Sequence, residues 1–427
     1  MLDLKYIRDN LDAVKANIAN RFVHADADLV VRLYDERNSL LQEIELLRKS
    51  RNENAAKMKG KLSQEERTPL IEEGKSLKEK LPEREERLKT IEIQLLEQAQ
   101  KIPNMAHPQA PLGKEEKDNL EVRRWGTVPT FAFPAKDHVE LGQSLDLIDF
   151  DTAARVSGTK FYYLRNEAVL LDLALARYAL DTVTARGYTP TITPDIAREE
   201  TVSGIGFQPR GEESNIYTLE GTGTCLIGTA EITLGGYYAD QILDANQLPL
   251  RLAGLSHCFR REAGAAGQFS KGLYRVHQFT KVEMFVYCRP EQSDEIHDEL
   301  LAIEEEIFQG LKIPYRVVDT CTGDLGGPAY RKYDIEAWMP GRGTGGDWGE
   351  VTSTSNCTDY QARRLGVRFR DDGRSRFVHM LNGTACATSR AMIAVLENFQ
   401  QADGSVKIPE ALVRYTGFDR IPARSGR

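Results

Sequence analysis

Residues 258–279 read CFRREAGAAGQFSKGLYRVHQF. Arg260, Arg261, Lys271, Arg275 and His277 gather around small residues, with one carboxylate, Glu262, among them. Apolar runs flank the stretch, PLRLAGL (249–255) before it and FTKVEMFVYC (279–288) after it. Two strand-like runs joined by a Gly/Ala-rich loop predict a β-hairpin that presents cations. Side chains two apart on a strand share a face, so Arg260 and Glu262 are expected side by side on the first strand. An arginine offers a rigid fork to phosphate or carboxylate. Glu262 can accept from an exocyclic amine, and Phe279 can stack on a flat ring. The combination suits a nucleotide lying across a sheet, although an ordinary basic hairpin fits the same residues. No GxxxxGKS/T occurs, which excludes a P-loop as the phosphate cradle.

Around this hairpin, residues 136–427 mix apolar-alternating runs with two helix-like segments, DEIHDELLAIEEEIFQGL (294–311) and TSRAMIAVLENFQ (388–400). Strands grouped without regular βαβ alternation predict an α+β domain: an antiparallel sheet flanked by helices. Two further polar stretches stand out, GEVTSTSNCTDYQARR (349–364) and HMLNGTACATSRAMIAVLEN (379–398). Glu350 and Ser353 offer hard oxygens suited to magnesium on ATP. Thr388 and Ser389 are good helix N-cap types, placing Arg390 in a first turn that attracts anions.

The first hundred residues have another texture. Leu33, Leu40, Ile44, Leu47 and Met58 follow heptad spacing, as do Leu70, Leu77, Leu81, Leu88, Ile91, Leu95 and Ile102 after a break at GKLSQEERTP. Each stripe is narrow, which predicts a long antiparallel α-helical coiled-coil arm projecting into solvent. Pro82 is expected to bend its second helix. Arg48, Lys49, Arg51, Lys57, Lys59 and Lys61 crowd the tip and form a candidate phosphate-tracking surface. The expected domains are 1–104, the helical arm; 105–135, a proline- and charge-rich linker; and 136–427, the α+β domain.

Bulk properties bound the function. A chain of 427 residues exceeds one ordinary core. It carries no apolar run of membrane-spanning length and neither signal- nor transit-peptide features. Its six cysteines are scattered without CxxC spacing, as expected of reduced thiols in a cytoplasmic protein. Net charge is −8, so nucleic acid would have to meet a local basic patch.

Taken together and in this order, the stretches resemble the class II aminoacyl-tRNA synthetases, and in detail the seryl-tRNA synthetase family. ARGYTPTITPDI (185–196), with Pro194, is similar to motif 1; FRREAGAAG through GLYRVHQF to motif 2; and LNGTACATSR to motif 3. LIGTAEITL (226–234) resembles the family's serine-binding loop, and the likeness covers the whole chain, arm included. It implies a class II sheet and an ATP-dependent serine–tRNA ligase with EC number 6.1.1.11. Serine binding would fall to Thr229, Ala230, Glu231, Arg260, Glu283, Asn382 and Thr384. ATP binding would fall to Arg260, Arg261, Glu262, Val276, Phe279, Glu350, Val351, Thr352, Ser353 and Arg390. Glu350 and Ser353 would hold Mg2+, and Arg260 and Arg390 would carry the catalytic charge. His277 and His379 would be structural or supporting.

The implied partners are L-serine, ATP and tRNA(Ser), with tRNA(Sec) a second candidate, in a homodimer that needs neither DNA nor membrane. Departures from the family pattern are GQFSKGL where GRDTRGL is common (Gln268, Phe269, Lys271), a longer glycine-rich approach to Glu350, and Pro82. A catalytically silent synthetase-like paralogue is the alternative, and the intact Arg260, Glu262, Glu283, Glu350 and Arg390 weigh against it. An amino acid:carrier-protein ligase would lack the arm and use zinc.

Overall fold

The computed structural model describes residues 1–210, 214–263 and 269–424. Gln268 lies outside the described residues. The chain forms two compact units, Met1–Met105 and Ala106–Arg427.

In the first unit, two short helices precede helix α1 (Ala27–Lys57) and helix α2 (Gln64–Lys101). The Asp26 side chain accepts from the Leu29 N–H and starts α1. Ser63 and Glu66 form a reciprocal capping box that starts α2 inside the expected break. Leu33, Leu40, Ile44, Leu77, Leu81, Ile91, Leu95 and Ile102 are buried, as the heptads predict. Arg37–Glu92 (3.1 Å), Arg84–Glu43 (2.8 Å) and Arg87–Glu36 (2.7 Å) cross between the helices in antiparallel order. These pairs are solvated and contribute about 0–1 kcal/mol each, whereas each buried Leu or Ile contributes about 1.5–3 kcal/mol. The narrow apolar stripe therefore holds the hairpin. α2 continues through both Pro69 and Pro82, each of which forfeits one backbone hydrogen bond without ending it.

The second unit is built on an eight-stranded sheet. In chain order its strands are β1 (Leu120–Trp125), β2 (Thr189–Ile192), β3 (Leu250–Phe259), β4 (Gln278–Cys288), β5 (Tyr315–Asp319), β6 (Arg331–Met339), β7 (Asp347–Asn356) and β8 (His379–Ala387). Their spatial order is β1-β5-β6-β7-β8-β4-β3-β2. All pairs are antiparallel except β2 with β3. Along β4, Val282, Met284 and Val286 face a core shared with helices α3 (Glu167–Ala185), α5 (Ser293–Gly310) and α7 (Thr388–Asn398). Phe285 and Tyr287 face the other side, where helices α4 (Ala230–Gly235) and α6 (Tyr360–Leu365) pack in a second core. By the two-residue alternation Lys281 and Glu283 belong to that second face. Among the described residues no helix is long and apolar enough to cross a membrane.

Residues 105–135 are not the free linker that their proline and charge content predicts. β1 pairs with β5 at the sheet edge, and Trp125 stacks on Tyr315 with ring centroids 5.7 Å apart. Pro111 and Gly113 accept backbone hydrogen bonds from Thr322 and Gly323 at 2.8 Å each. An edge strand needs only one partner and tolerates charge on its open side, so its composition reads as linker.

Candidate active site

A pocket opens on the sheet where β3, β4, β7, β8 and α7 converge, lined by Arg260, Glu262, Val276, Phe279, Glu350, Val351, Thr352, Thr384 and Arg390 of the expected residues. Tyr274, Arg275 and Lys281 line it too. Arg260 and Glu262 reach it by a route different from the expected strand face. β3 ends at Phe259, and Glu262 sits at φ 50°, in the left-handed region. The turn breaks the alternation but leaves both side chains on the pocket. Arg260 is fixed by its backbone, whose N–H donates to His277 O (2.9 Å) and whose carbonyl accepts from His277 Nδ1 (2.8 Å). His277 is thereby a structural group. The Arg260 guanidinium donates to Gly228 O at 3.2 Å and lies 5.3 Å from the Phe279 ring centroid. The Glu262 carboxylate lies 3.5 Å from Arg275. Arg261 is not in the lining; its N–H donates to Asn215 O.

At the other end, Arg390 pairs with Glu350 (3.2 Å), donates to the Glu350 carbonyl (3.0 Å) and covers the Tyr274 ring at 4.6 Å. Burial pushes the Glu350 carboxyl up, but the cations of Arg390, Lys332 and Arg260 outweigh it and hold Glu350 below its ordinary range. The helix cap differs from expectation. Ala387 occupies the N-cap position without a side-chain bond, and Thr388 is instead the first helical residue, donating to Thr280 O at 3.2 Å. Ser353 stands opposite Asp334 across β6–β7 and hydrogen-bonds to it, while Asp334 Oδ1 is buried without a partner. Lys332 pairs with the other Asp334 oxygen at 3.3 Å, which leaves Ser353 and the partly exposed Glu350 as the hard oxygens suited to a divalent cation. Among the described residues no three His, Cys, Asp or Glu side chains converge on a metal position.

Through Thr384 and Lys281 this pocket continues into a largely buried polar cluster. Asn382 Nδ2 is 3.4 Å from Glu231 and 3.3 Å from Glu283, and Thr384 donates to Glu283 at 3.2 Å. A register shift between Val282 and Glu283 against β8 aligns Glu283 with Thr384. Thr229 caps α4, its hydroxyl accepting from the Glu231 N–H at 3.2 Å. Ala230 is fully buried and packs towards Gly254, where an added Cβ would lie 2.9 Å from its methyl. Two members escaped the sequence reading. Lys281 forms a buried ion pair with Glu283, and Gln361 on α6 donates to Glu231 at 2.8 Å. The alternation that places Glu283 also places Lys281, whereas nothing local announces Gln361. Burial and the neighbouring charge of Glu283 push the Glu231 carboxyl up to about 7, against the Gln361 hydrogen bond and the cations of Lys281 and Arg260.

Residues 217–399 match the tRNA synthetase class II core domain (G, H, P, S and T), and residues 1–106 match the seryl-tRNA synthetase N-terminal domain. The serine–tRNA ligase of Treponema denticola is 66% identical over 422 residues, covering 99% of this chain and 100% of that protein. That of Rubrobacter xylanophilus is 59% identical over 426 residues, again with 99% and 100% coverage. The chain belongs to the seryl-tRNA synthetase family. Seryl-tRNA synthetase from Pyrococcus horikoshii complexed with ATP superposes with a TM-score of 0.93 at 43% identity over all of both chains. The cytoplasmic serine–tRNA ligase of Naegleria fowleri in complex with AMP gives 0.87 at 31% identity, covering 100% of this chain and 99% of that one. A Giardia lamblia prolyl-tRNA synthetase, 15% identical with a TM-score of 0.57 over 66% of this chain, shares the fold alone.

The family's arm is present as α1 and α2, with its tip differently constituted from expectation. Arg48 is engaged with Glu85 at 2.7 Å. Lys49, Arg51, Lys57, Lys59 and Lys61 are exposed, and no ion pair to another described residue holds them. Of the departures from the family pattern, Lys271 pairs with Asp137, and Phe269 packs on the core beside Tyr274.

Proposed function

We propose that the chain activates L-serine with ATP to seryl-adenylate and transfers the seryl group to the 3′ end of tRNA(Ser). The observation that carries the serine assignment is a pair of carboxylates, Glu283 buried and Glu231 partly buried, joined through Asn382 and adjoining the pocket through Thr384. Two carboxylates suit an ammonium and a hydroxyl, and an amino acid lacking the hydroxyl would leave buried polar groups unpaired.

In the first step an oxygen of the serine carboxylate attacks the α-phosphorus of ATP, and pyrophosphate leaves. Both partners are already reactive, so the protein's part is positioning and charge stabilisation. Arg260 would bridge the serine carboxylate and the α-phosphate. Glu262 would accept from the adenine amine while Phe279 stacks on the ring, and Arg390 would hold the far end of the triphosphate. Glu350 and Ser353 would hold Mg2+, which offsets phosphate charge when bound. In the second step a terminal ribose hydroxyl of tRNA attacks the carbonyl carbon of the mixed anhydride, and AMP leaves.

The arm's exposed lysines would follow the tRNA backbone. Leu170 and Leu173 on α3 and Ile192 on β2, the last 82% exposed, are apolar residues that a homodimer interface would cover. The six cysteines are unpaired and buried, as suits a cytoplasmic protein. Serine-dependent ATP–pyrophosphate exchange without tRNA tests the reading, with alanine and threonine as controls. Exchange with serine alone supports it; none from protein that binds ATP would place the silent paralogue first.

A further inference from the structure

Arg342 has no part in the roles assigned so far. It lies between β6 and β7 in the glycine-rich stretch GRGTGGDWG (341–349). Gly343, Gly345 and Gly346 have φ of 64°, 91° and 94°, and a Cβ on Gly346 would come within 2.4 Å of the Trp338 ring. Glycine is therefore what permits this path. It delivers the Arg342 guanidinium carbon to 4.4 Å from the Phe269 ring centroid and 4.6 Å from that of Tyr274. Those two rings meet edge-on, with centroids 5.3 Å apart. Tyr274 lines the pocket and also carries the Arg390 guanidinium at 4.6 Å. One stack thus runs from the glycine-rich loop through the motif 2 segment to the Arg390–Glu350 pair.

The stack, together with a side-chain hydrogen bond to Tyr274, secures Arg342. Its side chain is 15% exposed; among the described residues its Nη1 is buried without a hydrogen-bond partner, and its ion-pair partner, Asp347, is 4.0 Å away. An ion pair of that length to a carboxylate that is itself 64% exposed contributes little, whereas a desolvated cation–π contact contributes more. The neighbouring Gly341 N–H donates to Glu397 at 2.8 Å, which ties the loop to α7, the helix that carries Arg390.

We propose that Arg342 is a positioning residue for ATP: packed on Phe269 and Tyr274, it fixes the Tyr274 ring against Arg390 and so holds that guanidinium at the triphosphate end. Phe269 and the glycine-rich loop are both departures from the family pattern, and they meet in this stack. The proposal rests on the assignment of the pocket to ATP.

The test titrates ATP and AMP separately into full-length wild-type, R342A and R342K proteins by calorimetry, with serine-dependent pyrophosphate exchange run alongside. R342A is expected to bind ATP about tenfold more weakly and AMP within twofold of wild type, with serine KM unchanged within twofold. R342K, which keeps the charge on a thinner contact, is expected to recover part of the ATP affinity. Unchanged ATP affinity in R342A, no recovery in R342K, or equal weakening of ATP and AMP would each overturn the proposal. Equal weakening would mark a general loss of the pocket wall. Absence of exchange in the wild type would overturn the parent reading as well, whereas normal wild-type exchange confines a failure to Arg342.

Discussion

Gln361 Nε2 lies 2.8 Å from Glu231 Oε1, across 130 residues of chain. The same amide nitrogen donates to Ile205 O at 3.1 Å, and the side chain is fully buried. Glu231 is thus oriented from a helix that sequence reading had not placed beside it. The bond joins the 226–234 stretch to the family-like stretch at 349–364 and makes α6 part of the proposed serine site.

Replacing Gln361 with Leu removes a donor and leaves a buried carboxylate oxygen unpartnered, a loss of about 1–3 kcal/mol. Serine KM in pyrophosphate exchange is expected to rise tenfold or more, with ATP KM within twofold. A normal serine KM in Gln361→Leu would refute the role.

The raised Glu231 carboxyl gives a dependence of stability on pH with a definite sign. The folded protein retains a proton up to about pH 7 that the unfolded chain, at an ordinary value of 4.5, releases. The favourable contribution is complete below pH 4.5 and is lost as pH rises through 7, up to about 3 kcal/mol by linkage. Melting temperature without serine should therefore fall more steeply between pH 5 and 8 in the wild type than in Glu231→Gln. Parallel profiles would show that this carboxyl is not the group responsible.

At the arm tip, Lys57, Lys59 and Lys61 are exposed. Changing all three to Ala should weaken tRNA binding and lower the slope of log K against log salt by about 2–3. Pyrophosphate exchange should stay unchanged, because the adenylate chemistry is assigned to the other unit. Equal tRNA affinity at low salt would remove these lysines from the interface.

For the proposed homodimer, Leu173 and Ile192 expose 62% and 82% of their surfaces. Leu173→Asp with Ile192→Asp should shift the solution mass from dimer to monomer, as read by analytical ultracentrifugation. A double variant that stays dimeric would move the interface elsewhere.

Periodicity alone made the helical hairpin legible, because each heptad stripe is a local pattern that needs only its neighbour helix. The residue types of the chemistry were legible too: cations on a hairpin, hard oxygens at Glu350 and Ser353, and Arg390 at a helix start. The family likeness supplied their roles. What local pattern could not supply was adjacency. β4 lies between β3 and β8, so Glu283 meets Thr384 through strand order and a register shift, and α7, following β8, brings Arg390 to Glu350 on β7. The left-handed turn at Glu262, the edge strand Leu120–Trp125 and the Gln361–Glu231 bond depend likewise on partners distant in sequence. Burial then sets the charge state: Glu231 departs from its ordinary value because of what the fold removes, water, and what it brings close, Glu283. The sequence determined which groups were present and which segments would be regular. The tertiary structure decided which groups meet and how each is charged, because contact and desolvation arise only when distant segments pack.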